Sequence, residues 1–262
     1  FRASIIKHSE KYLLDRLDRD CALAFFYHQN IVLCMAMLQG ARHEHKEALL
    51  ATAKELSVEI EIVELRRADQ VNSHLDGLIL PGGESTAMRK ASESELLLPA
   101  LFDWMQQFPE KPVLGTCAGA ILLANPGENH QPFVDAGISR NAWGRQRNSF
   151  EAEVTLAPSI LDAITSTSEA TLPISQQRDK FNHQPLNMAH EAAQLNESED
   201  KFPGIFIRAP RFEQQQINCH KIATMEDEVV GIMQGNKVAV TFHPELTLDR
   251  RFHNWLINRC LS

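Results

Sequence analysis

Residues 112–124 read Pro-Val-Leu-Gly-Thr-Cys-Ala-Gly-Ala-Ile-Leu-Leu-Ala. Pro112–Thr116 is an apolar run of the kind found in a strand buried on both faces, and Ile121–Ala124 is the apolar side of a helix. Only Cys117-Ala118-Gly119-Ala120 separates the two. A chain that passes from strand to helix in so few residues takes a strained corner, which the small residues around Cys117 permit. The side chain at the corner is pushed out of the sheet beside the helix N-terminus, whose unpaired amides and dipole favour a thiolate and bind a developing oxyanion. Cys117 is therefore expected to be an activated nucleophile, whereas Cys34 and Cys219 read as buried structural cysteines.

On either side of this corner the chain alternates in the α/β manner. Ile31–Leu38, Val58–Val63 and Leu75–Leu80 are strand signals, and Ala41–Leu56 and Pro99–Phe108 are helix signals, the second with its proline in the first turn. Strands separated by helices predict a three-layer, mostly parallel sheet with helices on both faces. Beyond Pro126 the segments Glu151–Leu156, Gly204–Arg208, Asn218–Thr224, Val229–Gln234 and Lys237–Thr241 are short strands between turns, expected to form a small β-rich flap. Arg250–Leu261 closes the chain as a helix. Residues 31–262 are expected to be one domain. Residues 1–30, with an amphipathic signal over 4–19, form an N-terminal extension, and the Ser-, Gln- and Asn-rich stretch 164–201 reads as a polar insertion.

Composition narrows the function classes. The formal net charge of −8 disfavours a phosphate-backbone partner, so nucleic-acid binding is not expected. No apolar stretch approaches the roughly 20 residues of a membrane-spanning helix. The five cysteines are an odd number without CxxC pairs, which fits reduced thiols and a cytoplasmic location. Histidine and cysteine spacings suggest no metal, and no cofactor is called for.

A thiolate nucleophile needs a base. Of the eleven histidines, four (His8, His45, His74 and His243) are followed two residues later by a carboxylate. His8 with Glu10 and His45 with Glu47 fall on helices, where residues two apart point to different faces. His74 and Asp76 stand at the start of a strand, the edge opposite the Cys117 corner. His243-Pro244-Glu245 instead follows the apolar strand that ends at Phe242, and residues two apart in an extended segment share a face. His243 is the expected base and Glu245 its orienting partner. The glycines of Leu80-Pro81-Gly82-Gly83-Glu84-Ser85 end another strand, allowing close backbone approach to a ligand and presenting an amide to an oxyanion.

Taken together, GTCAG around Cys117, FHPE around His243 and PGGES at Pro81–Ser85 resemble the class I, or triad, glutamine amidotransferases. LQGARHEH (Leu38–His45), LPGGESTAMRK (Leu80–Lys90), RNAWGRQRNSFEAE (Arg140–Glu153), FIRAP (Phe206–Pro210) and FHPELTLDRRFHNW (Phe242–Trp255) are more specifically similar to the glutaminase subunits of pyridoxal 5′-phosphate synthase. The resemblance implies a Cys117–His243–Glu245 triad, oxyanion donors at Gly83 and Ala118, and glutamine contacts at Gly83, Glu84, Ser85, Arg140, Ile207 and Arg208. It implies L-glutamine as substrate and a separate synthase subunit as partner in a hetero-oligomer. Two arginines suit an α-carboxylate and Glu84 an α-ammonium. Which arginine meets which group stays open, and either could serve a structural ion pair. Gln39 and Arg42, on the same sheet edge as the corner, are the expected partner contacts.

Three other readings share parts of this pattern. A glutaminase of another pathway would keep the triad without RNAWGRQ and FIRAP. A cysteine peptidase would not need a pocket of Glu84, Arg140 and Arg208. A catalytically silent regulatory module would not need every triad position filled.

Overall fold

Apolar runs with too little polar character to face water on either side form the middle of a nine-stranded sheet. The structure is a computed structural model that describes residues 30–38, 40–140, 149–165 and 200–262. Strands β1 (Ile31–Ala36), β2 (Ile60–Leu65), β3 (Gly77–Leu80), β4 (Val113–Thr116) and β11 (Lys237–Val240) pair in parallel in the order β2-β1-β3-β4-β11. Strands β10 (Glu228–Gln234), β9 (His220–Met225), β6 (Ser149–Leu156) and β7 (Lys201–Ile207) continue the same sheet in antiparallel fashion. β5 (Ala136–Ser139) and β8 (Arg211–Ile217) make a separate two-stranded sheet.

The six helices of the described residues are α1 (Arg42–Leu56), α2 (Ser85–Ser92), α3 (Leu97–Gln107), α4 (Ala118–Ala124), α5 (Pro158–Thr165) and α6 (Arg251–Leu261). Strand side chains alternate between two cores. From β1, Ile31, Leu33 and Met35 join Leu49 and Ala53 of α1 and Phe252, Trp255 and Leu256 of α6. Cys34 and Ala36 point the other way, among Met88 of α2, Leu101 and Phe102 of α3, and Leu122 and Leu123 of α4. Helices therefore cover both faces of the parallel half, as expected.

The β-rich half departs from expectation. It is not a flap but an extension of the central sheet, and only β5 and β8 stand apart. The reason is local. Gly235-Asn236 joins β10 to β11 with Gln234 opposite Lys237, and Glu226-Asp227 joins β9 to β10 with Met225 opposite Glu228. Such two-residue connections force antiparallel neighbours, and Gly235 and Glu226 supply the positive φ they need, 55° and 53°. α2, α5, β5 and β8 were not foreseen. α2 carries a single large apolar residue, Met88, and so has little periodic signal. The expected insertion at 164–201 overlaps ordered elements at both ends, since α5 runs to Thr165 and β7 begins at Lys201. Residues 166–199 and the extension 1–29 lie outside the described residues.

One contact sets how α4 seats on the sheet. A Cβ built on Gly119 would lie 2.0 Å from the Leu80 carbonyl oxygen, a backbone atom that cannot swing away. Gly119→Ala is expected to lower stability by about 1–3 kcal/mol, the usual cost of overpacking. Urea unfolding measures it, and an unchanged midpoint would show that α4 does not dock this tightly.

Candidate active site

The pairing of β4 with β11 sets Thr116 opposite Val240. Because the two strands are parallel, whatever follows each of them emerges on the same edge of the sheet. Cys117 is the next residue after β4, and its amide still donates to Val240 O at 2.8 Å. It is the corner expected from the sequence, with φ 49° and ψ −106° and α4 starting at Ala118. A non-glycine residue held there stores about 1–3 kcal/mol of strain.

His243 follows β11, and its backbone amide donates to Ile205 O at 2.8 Å. The edge strand β7 therefore curls back over the carboxyl end of β11. His243 Nδ1 and Glu245 Oε1 are 2.7 Å apart. The pair does not form in the extended segment anticipated. Pro244, with its fixed φ, starts a 3₁₀ turn over Pro244–Leu246 that swings the Glu245 carboxylate back to the imidazole. Nδ1 is thereby occupied, leaving Nε2 for the sulfur. Gly82 is wedged between the two groups. A Cβ on Gly82 would meet His243 Cε1 at 2.4 Å and Cys117 Cβ at 3.4 Å. Cys117, His243 and Glu245 are all buried.

Burial opposes charge on His243, but the Glu245 carboxylate and the Cys117 sulfur prevail and push the imidazole up from 6.5 to about 10. Burial likewise opposes ionisation of Glu245, yet its neighbours His45 and His243 hold the carboxyl down from 4.5 to about 2. The two form an ion pair that persists across neutral pH.

Several of the remaining expected residues have structural partners of their own. Glu84 uses both carboxylate oxygens to cap α2, accepting from Thr86 N at 3.0 Å and Ala87 N at 2.7 Å. Arg140 Nη1 is 4.0 Å from Glu84 Oε1 and bonds the Thr86 hydroxyl, so one arginine does join a structural ion pair. Ser85 is buried, and its hydroxyl has no hydrogen-bond partner among the described residues. Gly83 is exposed, with φ 149°. The Cys117 thiol points to Ile207 O at 3.9 Å, and Arg208 follows at φ 43°, exposed beside the corner. Arg42 opens α1, whereas Gln39 lies outside the described residues. Gly40, next to it, packs on the Gly82-Gly83 turn: a Cβ there would fall 1.6 Å from Gly82 O. Cys34 is structural as expected, bonding Gly77 O at 3.0 Å, with burial pushing its thiol far up.

Sequence reasoning missed two buried histidines. His45 does not pair with Glu47, as expected, but its Nε2 lies 3.3 Å from Glu245 Oε2 and 3.2 Å from Thr116 Oγ1. Its Nδ1 is 3.0 Å from His253 Nε2. The available signal was a histidine on the apolar face of each helix, with Leu49 and Thr52 on α1 and Trp255 and Leu256 on α6.

A nucleophile elbow with an adjacent His–Glu pair on this sheet defines a class I glutamine amidotransferase fold. The family model of the SNO glutamine amidotransferases matches residues 34–167 and 165–262. The chain belongs to that family. It is 36% identical over 233 residues to a pyridoxal 5′-phosphate synthase subunit PdxT of Thermococcus onnurineus, covering 86% of this chain and 96% of that protein. The corresponding subunit of Shouchella clausii is 36% identical over 226 residues, covering 84% and 90%. A crystal structure of a glutamine amidotransferase superposes with a TM-score of 0.60 at 28% identity, covering 87% of this chain and 98% of that one.

The ion pair fixes a pH window for stability. The raised His243 contributes fully below its unfolded value of 6.5 and loses that contribution as pH rises through about 10. The depressed Glu245 contributes above 4.5 and loses it as pH falls through about 2. The melting-temperature gap between wild type and Glu245→Gln should be widest between these unfolded values and shrink on both sides. A gap independent of pH would remove the ion pair.

Proposed function

We propose that this chain is the glutaminase subunit of a pyridoxal 5′-phosphate synthase, hydrolysing L-glutamine to L-glutamate and ammonia for a separate synthase subunit. One observation carries the chemistry: Cys117 stands on a strained strand-to-helix corner beside a buried His243–Glu245 pair 2.7 Å apart. Relatives named as pyridoxal 5′-phosphate synthase subunit PdxT, matched along nearly their whole length, support the pathway.

In the first half-reaction the Cys117 thiolate forms an Sγ–C bond to the side-chain amide carbon, and the protonated His243 gives its proton to the departing nitrogen. Ammonia leaves and a glutamyl thioester remains. His243 then takes a proton from water as the water oxygen attacks the thioester carbon, the C–Sγ bond breaks, and glutamate leaves with the Cys117 thiolate and the protonated His243 restored. Each half builds negative charge on the former carbonyl oxygen. The amides of Ala118 and Gly83 are the donors we assign to it, each typically worth about 3–4 kcal/mol.

For the substrate, the buried hydroxyl of Ser85, which has no partner among the described residues, is a group that a ligand would satisfy. Arg140 and Arg208 are the cations we assign to the glutamine α-carboxylate, and Ile207 is the wall beside the sulfur. Glu84 already spends both oxygens on the α2 cap, so its part is to fix the Gly83–Ser85 turn as much as to meet an α-ammonium. Residues 31–262 are read as one glutaminase domain, with 1–30 as an extension and a polar insertion near 164–201. Among the described residues no helix is long and apolar enough to cross a membrane. A cytoplasmic hetero-oligomer fits a subunit that must hand on ammonia. Gln39 and Arg42 are proposed partner contacts, because Gly40 between them presses on the Gly82 carbonyl and could relay docking to the oxyanion turn.

Cys117→Ala and His243→Ala are each expected to reduce glutamine turnover at least about a thousandfold without unfolding the protein, with Glu245→Gln losing less. Turnover near wild type in Cys117→Ala would sink the mechanism. A second expectation is low turnover by the isolated subunit and activation by the synthase subunit, weakened by Gln39→Ala and Arg42→Glu. Full activity alone, unchanged by the partner, would refute the docking role and leave the triad standing.

A further inference from the structure

A buried carboxylate needs donors for both oxygens, since an unpaired one forfeits its hydration without return. Glu245 Oε1 has His243. Among the described residues Oε2 has no well-aligned hydrogen bond, and His45 Nε2 lies 3.3 Å from it on a carboxylate whose other backing is the backbone amide of Glu245 itself.

The identity of the proton on each ring follows from what its partners can do. An ionised carboxylate only accepts, so His45 Nε2 must carry the hydrogen and Nδ1 must be bare. His45 Nδ1 lies 3.0 Å from His253 Nε2, which must therefore donate. His253 Nδ1 is then the bare nitrogen, and it is the buried atom of that ring with no partner among the described residues. The opposite set of tautomers would aim the His45 Nε2 lone pair at Glu245 and bury a His253 N–H without an acceptor. Burial lowers both rings from 6.5, His253 to about 3, which favours their neutral forms. The Thr116 hydroxyl, at 3.2 Å from His45 Nε2, completes the cluster from the end of β4.

We propose that His45, with its tautomer fixed by His253, is a positioning residue for the catalytic reaction: it holds Glu245 Oε2 from behind, so that Oε1 stays aimed at His243. The inference rests on the triad reading above. A chain of hydrogen-bonding groups then runs from the nucleophile through His243 and Glu245 to α1 and α6. The two helices pack on each other, and both histidines are fully buried. Glu245 is thus braced by rigid structure rather than by a mobile loop. The role acts on chemistry, not on glutamine binding, which separates it from a packing role.

The test compares His45→Leu, which fills the space without a donor, with His45→Gln, whose amide nitrogen can replace Nε2, assayed with the synthase subunit present. His45→Leu is expected to lose about 10–100-fold in kcat with KM within about threefold, the range seen when an outer partner that orients a metal-bound histidine is removed. His45→Gln is expected to recover to within about threefold of wild type. Equal impairment of the two variants, or wild-type kcat in His45→Leu, would overturn the proposal. Should His45→Leu fail to fold, nitrogen NMR of labelled histidines in the wild-type protein decides instead. Neutral rings at pH 7 with hydrogen on Nε2 of both His45 and His253 support it, and hydrogen on Nδ1 of His45 overturns it. Cys117→Ala and Glu245→Gln run in parallel keep the two readings apart. Loss in those controls beside a wild-type-like His45→Leu removes the brace alone, while activity in Cys117→Ala removes the triad reading and the brace with it.

Discussion

Everything at the site depends on β4 and β11 lying side by side in parallel, with Thr116 against Val240. Two segments far apart in the chain leave the sheet at adjacent points on the same edge, one turning into α4 and the other into the Pro244–Leu246 turn. Were β11 antiparallel to β4, His243 would emerge at the opposite end of the sheet from Cys117. The pairing is secured by apolar strands buried on both faces, where a slip in register would exchange the residues of the two cores.

Close backbone contact sharpens that placement. Gly119 lets α4 settle on the Leu80 carbonyl, Gly82 fits between His243 and Cys117, and Gly40 lies against the Gly82 carbonyl. At each point a methyl group would collide with backbone or with the triad. The segment before α1, the Gly82-Gly83 turn and the Cys117 corner are consequently in direct succession, so displacement of one is felt by the next.

The electrostatics of the site set burial against pairing. Burial opposes charge on both His243 and Glu245, and in each case the partner outweighs it. A carboxylate kept ionised away from water is costly to leave half satisfied, which is why the neutral histidines behind it matter. His45 and His253 come from the opposite ends of the described chain and meet because α1 and α6 share one face of the sheet.

Much of this was written locally. Spacing and residue type around Cys117 specified the corner, because a strand running straight into a helix leaves the backbone little choice. The alternation of apolar runs and helices specified the parallel half, and His-Pro-Glu after a strand specified the pairing of His243 with Glu245. Tertiary structure decided what depends on pairings between distant segments. It made the β-rich half part of the main sheet, since two-residue hairpins compel antiparallel neighbours without stating which sheet they join. It gave Glu84 to the cap of α2, a helix with too few apolar residues to show a period. It also turned His45 and His253 from histidines on apolar helix faces into neighbours of Glu245, because a periodic pattern records that a side chain is buried but not what it is buried against.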